Sequence, residues 1–235
     1  MFFKKNTTDE CAYFSKNVDN FAVLLKGSSL EKIPKYYKNF DKCFIVSDYN
    51  DELKFVDRFL KGKEVVHFTN RSKQSSLSKE NYNKLNIRHI QTGQVFRLNH
   101  FRLIQTYFHY RKMMLNLKIH PLPEKMLRFQ SAFGEEYRLK FPNTGILAII
   151  YTLEIIRPKV LWVFGLDFYS KPYMVEQTQK TGLSLNQQQF KLDRLNLPTF
   201  VLNLFKNYPE TKIMMASHYT KWPKIQNIKN IKILK

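Results

Sequence analysis

Short continuous apolar runs, each closed by a turn signal, set the rhythm of the chain. Residues 21–25 (FAVLL) end at Lys26-Gly27-Ser28-Ser29, residues 42–47 (KCFIVS) end before Asp48, and residues 64–70 (EVVHFTN) end at Asn70. Runs of this kind lack the alternation of a half-exposed strand and predict strands covered on both faces, as in parallel sheets. Between the second and third, DELKFVDRFLKG (51–62) spaces its apolar residues for one helical face and closes on Gly62, which predicts an amphipathic helix. The polar stretch 71–84 predicts a surface loop, residues 94–118 one or two helices, and residues 119–131, with Pro121 and Pro123, a connection.

The pattern then repeats. Asn143 and Thr144 are good capping residues for an apolar helix running to about Ile156, which Pro158 ends, and VLWVFGLDF (160–168) predicts a buried strand. Residues 170–192 are polar and aperiodic, the composition of a lid. FKLDRLNLPTFVLNLFKNYPE (190–210) predicts a helix interrupted at Pro198, and TKIMMAS (211–217) a last strand before His218. Strands alternating with helices predict an α/β class fold, a Rossmann-like single domain over residues 1–235 with a mostly parallel sheet flanked by helices and a small lid. Ligands of such sheets sit outside the carboxyl ends of the strands. Here those ends are Lys26-Gly27-Ser28, Ser47 to Asn50, Asn70, Asp167 to Tyr169 and Ser217-His218.

Charge narrows the ligand. The 235 residues carry 39 Lys and Arg against 19 Asp and Glu, a net charge of +20, which attracts phosphates in a nucleic acid, an anionic membrane surface or a nucleotide-sugar. Cys11 and Cys43 make neither a disulfide framework nor a metal spacing. The six histidines include no HxxxH or HExxH pair, and no Asp-x-Asp triplet is present, so no metal and no cofactor is expected. No apolar run is long enough to span a bilayer and MFFKKNTTDE has no signal-peptide core, so a cytoplasmic location is expected. The segment from Arg97 to Lys112 mixes rings with bases. That pattern suits either a surface that stacks nucleic-acid bases or a helix with its rings in the core, and without a nucleic-acid motif the core placement is preferred.

Taken in order, two blocks resemble sialyltransferases. FAVLLKGSSL followed by FDKCFIVSDYN is similar to the family's first conserved block, in which a strand runs into a Gly- and Ser-bearing turn and a second strand ends in Asn. PNTGILAIIYTLEIIRPKVLWVFGLDFY is similar to the second, and the likeness is closest to the bacterial lipooligosaccharide enzymes. The resemblance implies a CMP-sialic acid donor, or a related CMP-sugar such as CMP-Kdo, with metal-independent inversion at the anomeric centre. The acceptor would be a cell-surface glycan or glycolipid. It implies a CMP pocket lined by Gly27, Ser28, Asn50, Asn70, Asn143, Thr144, Gly145 and Asp167, with Tyr169 and Tyr173 stabilising the departing phosphate; where the family's first turn has Asn this chain has Lys26, which brings a point charge to the phosphate or alters the nucleotide preference. The chain departs from the family where the general base belongs: Gln188 stands five residues before Asp193, and an amide cannot take a proton. His218, at a strand end, is the candidate replacement, with Asp193, Glu176 and Asp167 as others. The bases are expected to hold the protein peripherally to an anionic membrane, and self-association into a homo-oligomer is compatible with the sequence. A non-catalytic basic protein that binds nucleic acid or another polyanion, and a CMP-sugar binder without a base, stay open.

Overall fold

The computed structural model describes residues 18–69, 76–113, 116–129, 143–168, 197–222, 225 and 228–234, with residues 96–100 described by their backbone. Eight strands form one sheet: β1 (Asn20–Leu24), β2 (Lys42–Val46), β3 (Glu64–Thr69), β4 (His89–Val95), β5 (Lys118–Leu122), β6 (Val160–Phe164), β7 (Lys212–Ala216) and β8 (Ile231–Ile233). Their spatial order is β5-β4-β3-β2-β1-β6-β7-β8. Every neighbouring pair is parallel. The α/β Rossmann-like class expected from the sequence is the class observed.

The continuous apolar runs are explained by two cores, one on each face. Phe21 and Val23 of β1, Phe44 and Val46 of β2, Leu161 and Val163 of β6 face one core, which is filled by α5 (Thr144–Tyr151) and α6 (Leu197–Lys206). Ala22, Leu24, Cys43, Ile45, Trp162 and Phe164, their alternating neighbours, face the other. That second core is closed by α1 (Ile33–Tyr36), α2 (Leu53–Leu60), α3 (Lys79–Lys84) and Tyr110 of α4 (Phe96–Lys112). Successive side chains of a strand point to opposite faces, so only a run apolar at every position can fill both cores.

The structure differs from the expected elements at several places, each with a physical reason. β4 has the sequence HIQTGQV, without an apolar run, yet Gln91, Thr92 and Gln94 are buried; Gln91 Nε2 donates to the carbonyl of His120 (3.0 Å) on β5. Buried polar side chains, with Thr92 Oγ1 donating to Gln94 O in the same strand (3.4 Å), hide the strand from a hydrophobic pattern. β5 covers part of the expected connection 119–131. It carries Pro121 at an edge of the sheet, where a strand tolerates proline. The expected loop 71–84 ends in α3, which starts on Ser78, whose side chain accepts from Asn81 N at 3.2 Å. Pro198 lies within α6, whose described residues begin at Leu197; residues 190–196 of the expected helix lie outside the described residues. α5 continues as a π-helical turn (Thr152–Ile156) and stops at Arg157, in the left-handed conformation, one residue before Pro158. The expected lid, 170–192, lies outside the described residues.

Candidate functional site

The strand order reverses between β1 and β6. From β1 the chain steps outward through β2 to β5, and from β6 it steps the other way through β7 to β8, so the connections part at this point and leave a crevice at the carboxyl ends. A cleft of about 210 Å³ occupies it. Its walls are Leu25, Lys26 and Gly27 after β1, Val46 and Ser47 after β2, Gly165 to Phe168 after β6, and Asn143, Thr144 and Gly145 at the start of α5.

Two glycines let the walls meet. Leu25 N donates to Phe164 O (2.8 Å) and Gly27 N to Gly165 O (3.1 Å), extending the β1–β6 pairing into the turns. A Cβ on Gly27 would stand 2.4 Å from Asp167 Oδ2 and 2.5 Å from Gly165 O; one on Gly165, whose φ is +77°, would stand 2.5 Å from Leu25 O. Neither site admits a side chain without displacing backbone. Ser47 (φ 65°) and Phe168 (φ 47°) also hold left-handed backbone and also line the cleft. Such backbone persists where surroundings enforce it. At Ser47 the enforcement comes from buried His67, whose Nε2 bonds Ser47 O (2.8 Å) and whose Nδ1 bonds Tyr82 OH (2.7 Å). A carbonyl only accepts, which assigns the proton to Nε2 and makes Nδ1 the acceptor. At Phe168 it comes from Tyr219 and Trp222, whose ring centroids each lie 5.2 Å from its own.

Asp167 ties three strand ends together. Its Oδ1 accepts from Ser29 Oγ (2.8 Å) and His218 N (2.7 Å), and its Oδ2 from Ser29 N (2.8 Å), with Ser28 Oγ farther off at 3.5 Å. Ser29 Oγ additionally receives Gly165 N at 3.1 Å. Only 2% exposed, this carboxylate is committed to structural donors. Beside it, His218 bridges two side chains of the turn after β1: Nε2 lies 3.0 Å from Glu31 Oε1 and Nδ1 lies 2.9 Å from Ser28 Oγ. A carboxylate only accepts, so Nε2 carries the proton, and Nδ1 receives the Ser28 hydroxyl. The imidazole therefore turns its basic nitrogen to a small hydroxyl beside the cleft. Glu31 was not singled out in the sequence; the spacing Ser28-x-x-Glu31 is the signal of a capping box, and here the glutamate reaches a histidine instead.

Lys26 is internally compensated. Its Nζ is 2.8 Å from Asp48 Oδ1 and 3.5 Å from Glu52 Oε1, and burial raises the pKa of Glu52 against the opposing pull of Lys26. A phosphate here is met instead by the start of α5. Asn143 Oδ1 accepts from Ile146 N (2.9 Å) and Asn143 O from Leu147 N (2.9 Å), which leaves the first-turn N–H groups of Thr144 and Gly145 for a ligand at the cleft wall.

Of the residues singled out in the sequence, Lys26, Gly27, Asn143, Thr144, Gly145 and Asp167 line the same cleft, and Ser28 and His218 stand next to it, bonded to each other, with His218 N also donating to Asp167. Asn50 does not line it. Its side chain bonds Ser76 O (3.1 Å), Ser78 N (2.7 Å) and Asn81 Nδ2 (3.0 Å), holding the approach to α3. Asn70, Tyr169, Tyr173, Glu176, Gln188 and Asp193 lie outside the described residues. Among the described residues no group of three or more His, Cys, Asp or Glu could hold a metal ion, and no helix is long and apolar enough to cross a membrane.

No protein-family model matches the chain, and no curated protein matches it by sequence. Among solved structures, the fold is similar to that of the sialyltransferase CstII from Campylobacter jejuni, in complex with a substrate analogue, cytidine-5'-monophosphate. The TM-score is 0.53 and the identity 16%, with 92% of this chain and 86% of that chain covered. At that identity the likeness establishes a shared fold and nothing finer.

Proposed function

We propose that the chain is a glycosyltransferase that binds a CMP-activated sugar acid in the β1–β6 cleft and transfers the sugar to a glycan or glycolipid hydroxyl. The observation that carries the proposal is the cleft itself: it lies at the strand-order reversal of a fold shared with a protein solved with CMP, and its walls are the two sequence blocks that resemble sialyltransferases. The N-terminus of α5 brings backbone donors to it, which suits the nucleotide's phosphate.

In this reading the acceptor oxygen attacks the anomeric carbon while the bond from that carbon to the phosphate oxygen of CMP breaks. CMP leaves with the bonding pair, and its growing charge is met by the N–H groups of Thr144 and Gly145, together with the phenols of Tyr169 and Tyr173. The acceptor's proton passes to His218 Nδ1, either directly once the Ser28 hydroxyl turns away or through that hydroxyl. Glu31 stabilises the imidazolium at Nε2. Asp167 positions His218 and the turn; Lys26 closes the pocket wall, its charge already spent on Asp48 and Glu52.

The test is to incubate the protein with CMP-sialic acid or CMP-Kdo and follow CMP release with and without a lipooligosaccharide acceptor. One donor consumed faster in the presence of acceptor, with turnover lost in His218→Ala, supports the proposal. Failure to bind or consume either donor would overturn it.

A further inference from the structure

Helix α4 carries apolar side chains on two opposite sides. Leu103, Thr106 and Tyr110 are buried against the domain. Seven residues apart, and so within about 20° of one another around the helix axis, Phe101 and Phe108 project from the other side and are 65% and 53% exposed. Ile104, 40% exposed, lies on the flank of the same ridge one turn along, next to Tyr107 at 44%. The expectation that these rings would fill the core holds for Tyr110 and fails for Phe101, Tyr107 and Phe108. The core stripe of α4 is satisfied by other residues, and burying the outer ridge as well would need a further layer of protein.

Charge selects what covers the ridge. Arg102, Arg111 and Lys112 of α4 are exposed around it. The 43 residues from 81 to 123 contain no Asp or Glu and seven Lys or Arg, within a chain of net charge +20. A second copy would bring the same positive field against this one, which opposes self-pairing through α4. A single-stranded nucleic acid needs a groove in which bases stack, whereas α4 is a convex rod whose two phenylalanines stand about 10 Å apart along the axis with an isoleucine between them. An anionic bilayer surface meets every feature: the ridge enters the boundary between headgroups and acyl chains, and the flanking guanidinium and ammonium groups remain at the headgroups.

We infer that α4 docks the protein onto anionic membranes by inserting Phe101, Ile104 and Phe108 between headgroups held by Arg102, Arg111 and Lys112. This inference stands apart from the glycosyltransferase reading, since none of the side chains described on α4, residues 101–112, lines the cleft.

Co-sedimentation of the full chain with vesicles tests it, using phosphatidylcholine with phosphatidylglycerol against phosphatidylcholine alone. The wild type is expected to sediment with the anionic vesicles and not with the neutral ones. Phe101→Ser/Phe108→Ser, which leaves net charge unchanged and spares the buried stripe of Leu103, Thr106 and Tyr110, should bind at least about tenfold more weakly, and Arg111→Gln/Lys112→Gln should also weaken binding. Unchanged circular dichroism and urea midpoints would show that both variants fold. Three results would overturn the inference: no binding by the wild type, equal binding by the phenylalanine variant, or loss of a wild-type dimer in that variant without any effect of lipid. A single-stranded RNA bound more tightly than vesicles, with the same phenylalanine dependence, would overturn it too.

Discussion

Substituting Gly27 by alanine tests whether the close approach of the two turns builds the cleft. Gly27 has φ −66° and ψ 158°, an extended conformation that alanine adopts freely, so the backbone adds no penalty. The cost is steric. A Cβ would stand 2.4 Å from Asp167 Oδ2 and 2.5 Å from Gly165 O, about 1 Å inside ordinary contact. Asp167 cannot retreat without stretching its bonds to Ser29 N, Ser29 Oγ and His218 N, all between 2.7 and 2.8 Å. Gly165 O is held by Gly27 N itself. Overpacking costs about 1–3 kcal/mol and the loss of one hydrogen bond to a charged group about 1.5–3 kcal/mol, so Gly27→Ala should cost about 2.5–6 kcal/mol. With a urea m-value of roughly 2 kcal/mol/M, the unfolding midpoint should fall by about 1–3 M. Gly145→Ala is the internal control. Its Cβ would meet the flexible end of Leu25 at 3.0 Å, and alanine favours the helix by about 0.5–1 kcal/mol, so the two effects should roughly cancel. Urea titrations followed by tyrosine and tryptophan fluorescence would measure both. A Gly27→Ala midpoint equal to the wild type's would refute the claim that this contact shapes the site.

Other outcomes follow from single residues. Asn143→Asp keeps the oxygen that caps Ile146 N and removes the amide donor, so it should leave stability near wild type and weaken CMP binding, whereas Asn143→Ala should also lose about 1 kcal/mol of stability. Calorimetric titration and urea melts would separate the two effects. Burial, then the charges of His89 and Lys118, push His120 down to about 4. The folded chain keeps it neutral while the unfolded chain protonates near 6.5, so stability is full above about pH 6.5 and falls by roughly 3 kcal/mol towards pH 4. Urea midpoints should track that fall, and His120→Asn should flatten it; the same slope in the variant would exclude His120 as the source. Burial pushes the Cys43 thiol up to about 12. In a Cys11→Ser background, reaction with a thiol reagent at pH 8 should therefore proceed only as fast as the domain opens. Asn50→Ala should loosen the segment leading into α3, seen as faster hydrogen exchange at residues 76–81, and should leave CMP affinity unchanged.

The parts of the fold that were legible in the sequence are those where local pattern and tertiary role agree. β1, β2, β3, β6 and β7 serve two cores, and only a continuous apolar run can do that, so their sequences state their place. Asn143 caps a helix that its neighbours already favour. β4 was hidden because Gln91, Thr92 and Gln94 are buried polar residues, Gln91 bonded across the sheet to β5 and Thr92 to its own strand, and β5 because its edge position makes Pro121 harmless. Within the site, Lys26, Gly27, Asn143, Thr144, Gly145 and Asp167 were legible as strand ends and helix starts that topology must gather on one edge. Ser47, Gly165 and Phe168 carry left-handed backbone enforced by residues distant in the chain, and no local pattern announces it. The pairing of Lys26 with Asp48 and Glu52, and of His218 with Glu31, likewise arises only when β1, β2 and β7 lie side by side.

The central claim is that the cleft at the β1–β6 reversal is a nucleotide site. Isothermal titration of the full chain with CMP, and with UMP and GMP as controls, in moderate salt tests it most directly, with Gly27→Ala and Asn143→Asp alongside. The account predicts saturable binding of CMP at one site per chain, preferred over UMP and GMP and weakened in both variants. Equal heats for all three nucleotides that vanish as salt is raised would contradict it, because such binding belongs to the net charge of the surface and needs no cleft.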